Sequence, residues 1–321
     1  MKAIFKDLKV LELANVLAGP AVGMFFAELG AKVTKIENKT TGGDITRQWK
    51  LPKEGKESAS SAYYASVNWG KNNLFMDLSV KADKEVVYKL VKGADIVISN
   101  YKYGDDKKLG MDYANLKKIN PTIIYGHISG FGEKDLRTGF DVVLQAESGF
   151  MSMNGTSESG PIKMPVAMID ILTAHQLKEA LLIALLQKST SGKGAYVSVS
   201  LMSSAISSLA NQASNWLMEA HVPTRIGSLH PTIAPYGEIF KSKDKKEIVL
   251  AIGTNKQFKN LCAVLGKSEL SNDEKFKTNT LRVKNRIDLR NTIFPLIVKY
   301  KAVELMKLFS KKIFLQEELR I

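Results

Sequence analysis

"LKVLELANVLAGPAVGMFFAELGAKVTKIE" (residues 8–37) sets the fold class. "LKVLEL" is a short apolar strand, "ANVLAGPAVGMFFAELGAK" a loop running into a helix, and "KVTKIE" a second strand. Pro20 suits a first helical turn and Gly30 a C-terminal stop. A strand, a helix and a second strand in this order imply a parallel pair joined by a right-handed crossover.

The same grammar extends outward. "TGGDITRQWKLPKEGKESASS" is a polar loop, "NNLFMDLS" a strand, and "KADKEVVYKLVKGA" an amphipathic helix ending at Gly93. "DIVISN" is a further buried strand, "DYANLKKIN" a helix, and "TIIYGHISGFG" another strand. Strands alternating with helices predict an α/β chain with a Rossmann-like parallel sheet. The likeness to a dinucleotide fold is one of outline, because the first turn lacks G-x-G-x-x-G. After Gly194 come the strand "AYVSVSL" and a long helix over 202–220. "HVPTRIGSLHPTIAPYGEIF", with three prolines and two histidines, reads as a linker. The expected organisation is a large domain over 1–220, a linker over 221–240 and a smaller α/β domain over 241–321.

The totals exclude several classes. The chain has 321 residues, 45% hydrophobic and 24% charged, which is ordinary for a globular protein. No apolar run approaches the roughly 20 residues of a membrane span, and "MKAIFKDLKVLEL" has no signal-peptide core. The single cysteine, Cys262, rules out an internal disulfide framework and fits a reducing cytoplasm. Of the net charge of +14, ten units fall in residues 241–321, which hold 19 basic and 9 acidic residues. Those lysines are scattered among acids with no interleaved aromatics. They read as a solvated surface that helps draw in a phosphorylated ligand, not as a nucleic-acid site. The four histidines show no metal-ligand spacing, and neither G-x-S-x-G nor a P-loop is present. A carboxylate is the best remaining nucleophile.

Asp170 is the candidate. In "VAMIDILTAHQLKEALLIALLQKSTSGKG" (residues 166–194) it stands between apolar neighbours, before apolar residues that recur at helical spacing (Leu177, Leu181, Leu185). Local sequence supports two readings. Asp170 can be an N-cap accepting from the first turn of a helix that starts near Leu172. It can equally be a carboxylate kept ionised by that helix terminus and available for attack.

Several segments together carry a resemblance. The stretch from "LKVLEL" to "TTGGDITR", then "NWGKNNLFMDLS", "ADIVISNYKYGDDKKLGMDYANLKKINPTIIYGHISGFG", "GFDVVLQAESGFMSMNG" and "HPTIAPYGEIF" resemble, in order, the class III CoA-transferases. The resemblance implies a reaction moving CoA from an acyl-CoA donor to a free carboxylic acid, with CoA as substrate and no prosthetic group. It implies an interlocked homodimer, and it assigns Asp170 as the nucleophile, through a mixed anhydride and an aspartyl-CoA thioester. It further places Val16 and Leu17 at the CoA thiol arm, and Met76 and Asn100 near adenine and ribose. Lys108 falls at a phosphate-pairing position usually held by arginine, and Phe140 near the pantetheine or in the core. Arg47 is either an anion contact or a surface charge.

Two departures accompany the resemblance. Asn38 stands where formyl-CoA transferases often carry a phosphate-binding arginine, with Lys39 beside it as a partial substitute. The chain ends at "FLQEELRI", short of the family's return to the large domain, so the apolar positions of 295–321, expected at helical spacing, would lack cover. Two other readings compete. A related α-methylacyl-CoA racemase needs a histidine before the acid of "GFDVV", where this chain has Phe140; His127 reads as structural. A catalytically inactive CoA-binding or dimerisation module is the alternative from a different class.

Overall fold

The first strand, β1 (Lys9–Glu12), enters the interior as Val10, Leu11 and Glu12, all buried. A computed structural model describes residues 3–55, 57–311 and 315–318. Helix α1 (Ala18–Glu28) follows and ends at Gly30, whose φ of 96° is open to glycine and strained for other residues. Then come β2 (Lys32–Asn38), α2 (Ala62–Asn68), β3 (Asn72–Met76), α3 (Lys81–Lys92) and β4 (Ile96–Ser99). They are followed by α4 (Asp105–Leu109), α5 (Tyr113–Ile119), β5 (Ile124–Ser129), α6 (Asp141–Glu147) and α7 (Phe150–Met153). The series continues with α8 (Met168–Ser191), β6 (Ala195–Ser200), α9 (Leu201–Ser207) and α10 (Asn211–Glu219).

The six strands form one parallel sheet in the order β3-β2-β1-β4-β5-β6. This is the doubly wound arrangement anticipated from residues 8–37. Its two faces carry separate cores. Val10, Val33, Ile96, Ile98, Ile124 and Ile128 meet α1 and α8 on one side. Leu11, Leu13, Val97 and Tyr125 meet α3 and α5 on the other. Successive strand residues alternate between the faces. Gly126 packs against Leu177 and Leu181 of α8, so its neighbour His127 lies on the opposite face.

The predicted helix over 202–220 is two helices. Ala210 between them has φ 48° and ψ −118°, and the Ser207 hydroxyl donates to the Ser204 carbonyl. Serines that bond back to the main chain compete with the helical ladder.

Backbone contacts divide the chain into two units: Met1–Ser152 with Ile162–Pro223, and Met153–Pro161 with Thr224–Ile321. In the second, β7 (Tyr236–Lys241), β8 (Glu247–Ala251) and β9 (Leu315–Glu318) form an antiparallel sheet in sequence order. β7 begins within the stretch read as a linker. The helices are α11 (Asn255–Val264), α12 (Asn279–Lys284), α13 (Arg286–Ile297) and α14 (Ala302–Lys311). Leu296, Ile297, Ala302, Leu305 and Phe309, expected to lack cover, are buried in this unit's own core. Residues 315–318 are a strand paired with β8 where helical spacing was expected; residues 312–314 and 319–321 of the terminal stretch lie outside the described residues. Many of the lysines are solvated, as in the pairs Lys275–Asp288 and Lys277–Glu274.

One cation in this unit is fully buried among the described residues. Arg282 donates to the Ala234 carbonyl (2.8 Å), the Phe276 carbonyl (3.0 Å) and Asn255 Oδ1 (2.9 Å), with its guanidinium 4.5 Å over the Phe258 ring. Replacing Arg282 with Leu strands these acceptors. The expected loss is about 3 kcal/mol, read as a lower midpoint in urea; an unchanged midpoint would show that the three bonds contribute nothing net.

Candidate active site

In a doubly wound sheet, ligands bind outside the carboxyl ends of the strands where the strand order reverses, here between β1 and β4. The chain places two cavities there. The larger, about 480 Å³, is lined by Asn15, Val16, Leu17 and Ala18 after β1, by Asn100 to Tyr103 after β4, and by Phe140, Asp141 and Asp170. The second, about 370 Å³, is lined by Asn38 and Thr40 after β2, by Met76 to Ser79 after β3, and by Leu109. Asn15 and Tyr101 line both, so the two adjoin.

The loop after β1 is held from three sides. Lys35 Nζ donates to the Ala14 carbonyl at 2.6 Å. The Asn100 amide accepts from Asn15 N–H (3.0 Å) and donates to the Asn15 carbonyl (2.8 Å). Asp44 accepts from Val16 N–H at 3.0 Å. Val16 pays for this with φ of 73°, a conformation that a β-branched residue adopts only under constraint. Beneath the loop lies a buried set of four charges. Lys35 stands 2.9 Å from Glu12 and 3.1 Å from Asp44, and Lys71 2.7 Å from Glu12. Burial opposes the Lys35 ammonium, but Glu12 and Asp44 outweigh it and hold its pKa above the ordinary value. Lys71 shares only Glu12 and has Lys35 as a neighbour, so burial pushes it down to about 8. Lys71 also donates to the Pro20 carbonyl (2.8 Å) and to Asn68 Oδ1 (2.9 Å), which accounts for the N-x-x-K spacing of "NWGK". Gly23 leaves room for this set, since a methyl there would overlap Glu12 Oε2.

Asp170 stands in the first turn of α8, three residues after the N-cap Ala167, and makes no capping bond. The N-cap reading is therefore corrected. The helix starts earlier than Leu172, and its first turn is capped from another helix: Asp141 Oδ1 accepts from Ile169 N–H at 2.8 Å. Asp170 is 8% exposed and accepts no hydrogen bond among the described residues. Burial, and then the charge of Asp141, push its pKa up to about 7. The expectation of a pKa held low by the helix terminus is corrected: burial and the like charge of Asp141 raise it.

The structure brings Val16, Leu17, Asn100, Phe140 and Asp170 to the larger cavity, and Asn38 and Met76 to the adjoining one. Phe140 is 53% exposed, so it lines the cavity and does not fill the core. Lys108 lines neither; it is exposed on α4 and paired with Asp105 at 3.0 Å. Asn38 accepts from Thr40 N–H as a cap, and Lys39 pairs with Asp83 at 2.6 Å. Arg47 is neither a free anion contact nor a loose surface charge. Its two bonds to Glu37 (both 2.7 Å), with others to Tyr64 and the Ala59 carbonyl, make it internal bracing. His127 lies on the sheet face away from α8. Asp141, Asp44, Lys35 and Tyr101 escaped sequence reasoning as site residues. Asp141 stood in plain view within "GFDVV", but nothing local shows which helix it caps.

These features match a known family over nearly the whole chain. The model for CoA-transferase family III matches residues 5–320. The chain belongs to that family. The succinate–glutarate CoA-transferase of Agrobacterium fabrum is 37% identical over 95% of this chain and 77% of its own length. The human succinyl-CoA:glutarate CoA-transferase is 36% identical over 88% of this chain; the match spans 64% of the human protein, under two thirds of it. A crystal structure of a CaiB/BaiF family protein from Brucella suis superposes with a TM-score of 0.86 at 36% identity, covering 100% of this chain and 85% of that one. Among the described residues no group of His, Cys, Asp or Glu forms a metal site, and no helix is long and apolar enough to cross a membrane.

The raised pKa of Asp170 makes stability depend on pH. Between the usual carboxylate value and about 7 the folded state binds the proton that the unfolded state releases, so stability falls as pH rises through that window. Asp170→Asn removes this dependence. Its stability relative to the parent should rise by roughly 2–3 kcal/mol between pH 5 and pH 8, measured by urea unfolding at each pH. A difference that stays constant with pH would mean that Asp170 is not desolvated as described.

Proposed function

We propose that the chain transfers CoA from an acyl-CoA donor to a free carboxylic acid through covalent intermediates on Asp170. The observation that carries this reading is the Asp170 carboxylate itself: buried, unpartnered by hydrogen bonds, and on the wall of a cavity at the sheet's switch point. The names of the relatives point to short dicarboxylates such as succinate and glutarate as acyl groups.

The steps balance as follows. The ionised Asp170 attacks the thioester carbonyl and expels CoA thiolate, giving a mixed anhydride. The thiolate attacks the aspartyl carbonyl, releases the donor acid and leaves an aspartyl-CoA thioester. The acceptor carboxylate attacks that thioester, and the expelled thiolate then attacks the acceptor's acyl carbon, freeing Asp170. Both intermediates are uncharged at Asp170, so forming them removes the charge that burial and Asp141 disfavour. The start of α1 supports the same chemistry. Leu17 at its N-cap makes no side-chain bond, and Leu17 and Ala18 line the cavity, so the helix begins where charge would develop on a carbonyl oxygen.

Val16, Leu17 and Phe140 are read as the channel for the thiol arm, and Asn38, Met76 and Asn100 as the nucleotide end. Lys108, exposed and paired with Asp105, is read as a solvated phosphate contact only. A homodimer, interlocked as in the resembled enzymes, and a cytoplasmic setting complete the proposal, as does a division into a catalytic domain and a smaller one.

Incubation with succinyl-CoA and intact-mass analysis should show an adduct of CoA mass, removed by hydroxylamine and absent in Asp170→Ala. Asp170→Asn should lose transfer to glutarate by at least about 10³-fold, the scale on which a missing nucleophile is felt. Parent-level transfer in Asp170→Asn would end the nucleophile reading.

A further inference from the structure

The helix that carries Asp170 begins without a cap of its own: Ala167 at its N-cap has no side chain able to accept a hydrogen bond. Asp141 occupies that role from α6, and both of its oxygens are used. Oδ1 accepts from Ile169 N–H at 2.8 Å, and Oδ2 from Gln145 Nε2 at 2.6 Å. One turn further along α6, Gln145 Oε1 accepts from Met164 N–H at 2.8 Å, so the same helix face also grips the segment leading into α8. Gln145 is 1% exposed. We propose that Asp141 is a positioning residue for the reaction: it fixes the first turn of α8, and with it the direction and charge state of the Asp170 carboxylate.

The proposal rests on the reading of Asp170 as the nucleophile, and three features support it. Ile169 N–H belongs to the residue directly before Asp170, so a bond there fixes the peptide from which the nucleophile projects. Both carboxylates line one cavity and Asp170 is buried, so the charge of Asp141 disfavours the ionised form of Asp170. The other groups about Asp170 do not offset that repulsion. Tyr63 on α2 is neutral, its pKa pushed up to about 12 by burial and then by the charge of Asp170. Arg137, on the cavity wall, is committed to Asp135 and Glu147 at 2.9 and 3.1 Å. Lys102 lines the same cavity but is exposed to solvent. Asp141 thus performs two separable tasks, accepting a bond through Oδ1 and contributing a charge.

Two substitutions in the full chain separate them. Asp141→Asn keeps an oxygen for Ile169 N–H and removes the charge. Asp141→Ala removes both. Hydrogen exchange of a peptide covering 168–172, read by mass spectrometry, should speed up about 5-fold in Asp141→Ala, the equivalent of a lost cap, and stay near the parent rate in Asp141→Asn. The Asp170 carboxyl, followed by carbon NMR, should titrate about one pH unit lower in Asp141→Asn. Succinyl transfer in Asp141→Ala should fall on the order of 100-fold in kcat, with little change in KM, as expected for a misdirected nucleophile. Parent-like exchange and parent-like kcat in Asp141→Ala would overturn the proposal, as would an unmoved Asp170 titration in Asp141→Asn. If Asp141→Ala does not fold, the titration and kcat of Asp141→Asn still decide. Failure of the nucleophile reading would be seen separately, as retained transfer in Asp170→Asn, while exchange and titration still judge the role of Asp141.

Discussion

The buried ammonium of Lys35 is the constraint on which the site depends. It is charged because two carboxylates, Glu12 and Asp44, meet it from neighbouring segments, and the ammonium in turn reaches the Ala14 carbonyl. A buried ion pair of this kind adds little net stability, since desolvation consumes most of the Coulombic gain. What it supplies is geometry. With Asp44 fixed by Lys35, its second task, accepting from Val16 N–H, holds a β-branched residue in the left-handed region. The start of α1, at Leu17 and Ala18, then lines the cavity. Lys71 extends the set to the Pro20 carbonyl, so four charges summing to zero brace the loop after β1 and the first turn of the helix that follows.

Asp170 is built on the opposite principle. The four charges beneath the β1 loop neutralise one another, whereas Asp170 has only a like charge for company. Burial and the charge of Asp141 both disfavour its ionised form. On the proposed reading, an acyl or thioester derivative of Asp170 would relieve that state. The two arrangements are complementary: a scaffold of paired charges stands beside one buried carboxylate that accepts no hydrogen bond among the described residues.

Much of this was legible in the sequence, for reasons that differ from part to part. Periodicity and glycine stops gave the sheet, because strand alternation and helix termination are local properties, as Gly30 and Gly192 illustrate. Asp170 stood out because a carboxylate among apolar residues is rare, and the ordered series of motifs favoured one of the two readings that local physics left open. Its position in the helix was misread, since the cap comes from Asp141, 29 residues earlier in the chain. Arg47 and Lys108 show the same limit from two sides. Each looked free to meet an anion, but Arg47 is consumed by Glu37, and Lys108 turns to Asp105. Pairing across strands and helices is a three-dimensional fact that spacing along the chain does not encode. The split of residues 202–220 was hidden in another way, because serine-rich turns mimic a polar helix face until the main chain bends.

The path of the chain through its two units has a consequence for biosynthesis. Residues 153–161 belong with the second unit, yet they emerge from the ribosome before α8, β6, α9 and α10, which complete the first. The nascent sheet at that stage holds β1 to β5 with β5 as an open edge, and the face that α8 covers is bare. Val10, Ile96 and Ile124 then wait for a helix made some forty residues later than the strand β5 beside it. Synthesis thus passes through a window in which an unpaired parallel edge and an uncovered apolar face coexist, the circumstance in which chains bind chaperones or one another. The window closes only when β6 pairs with β5. Slow translation between residues 130 and 200 would prolong that exposure.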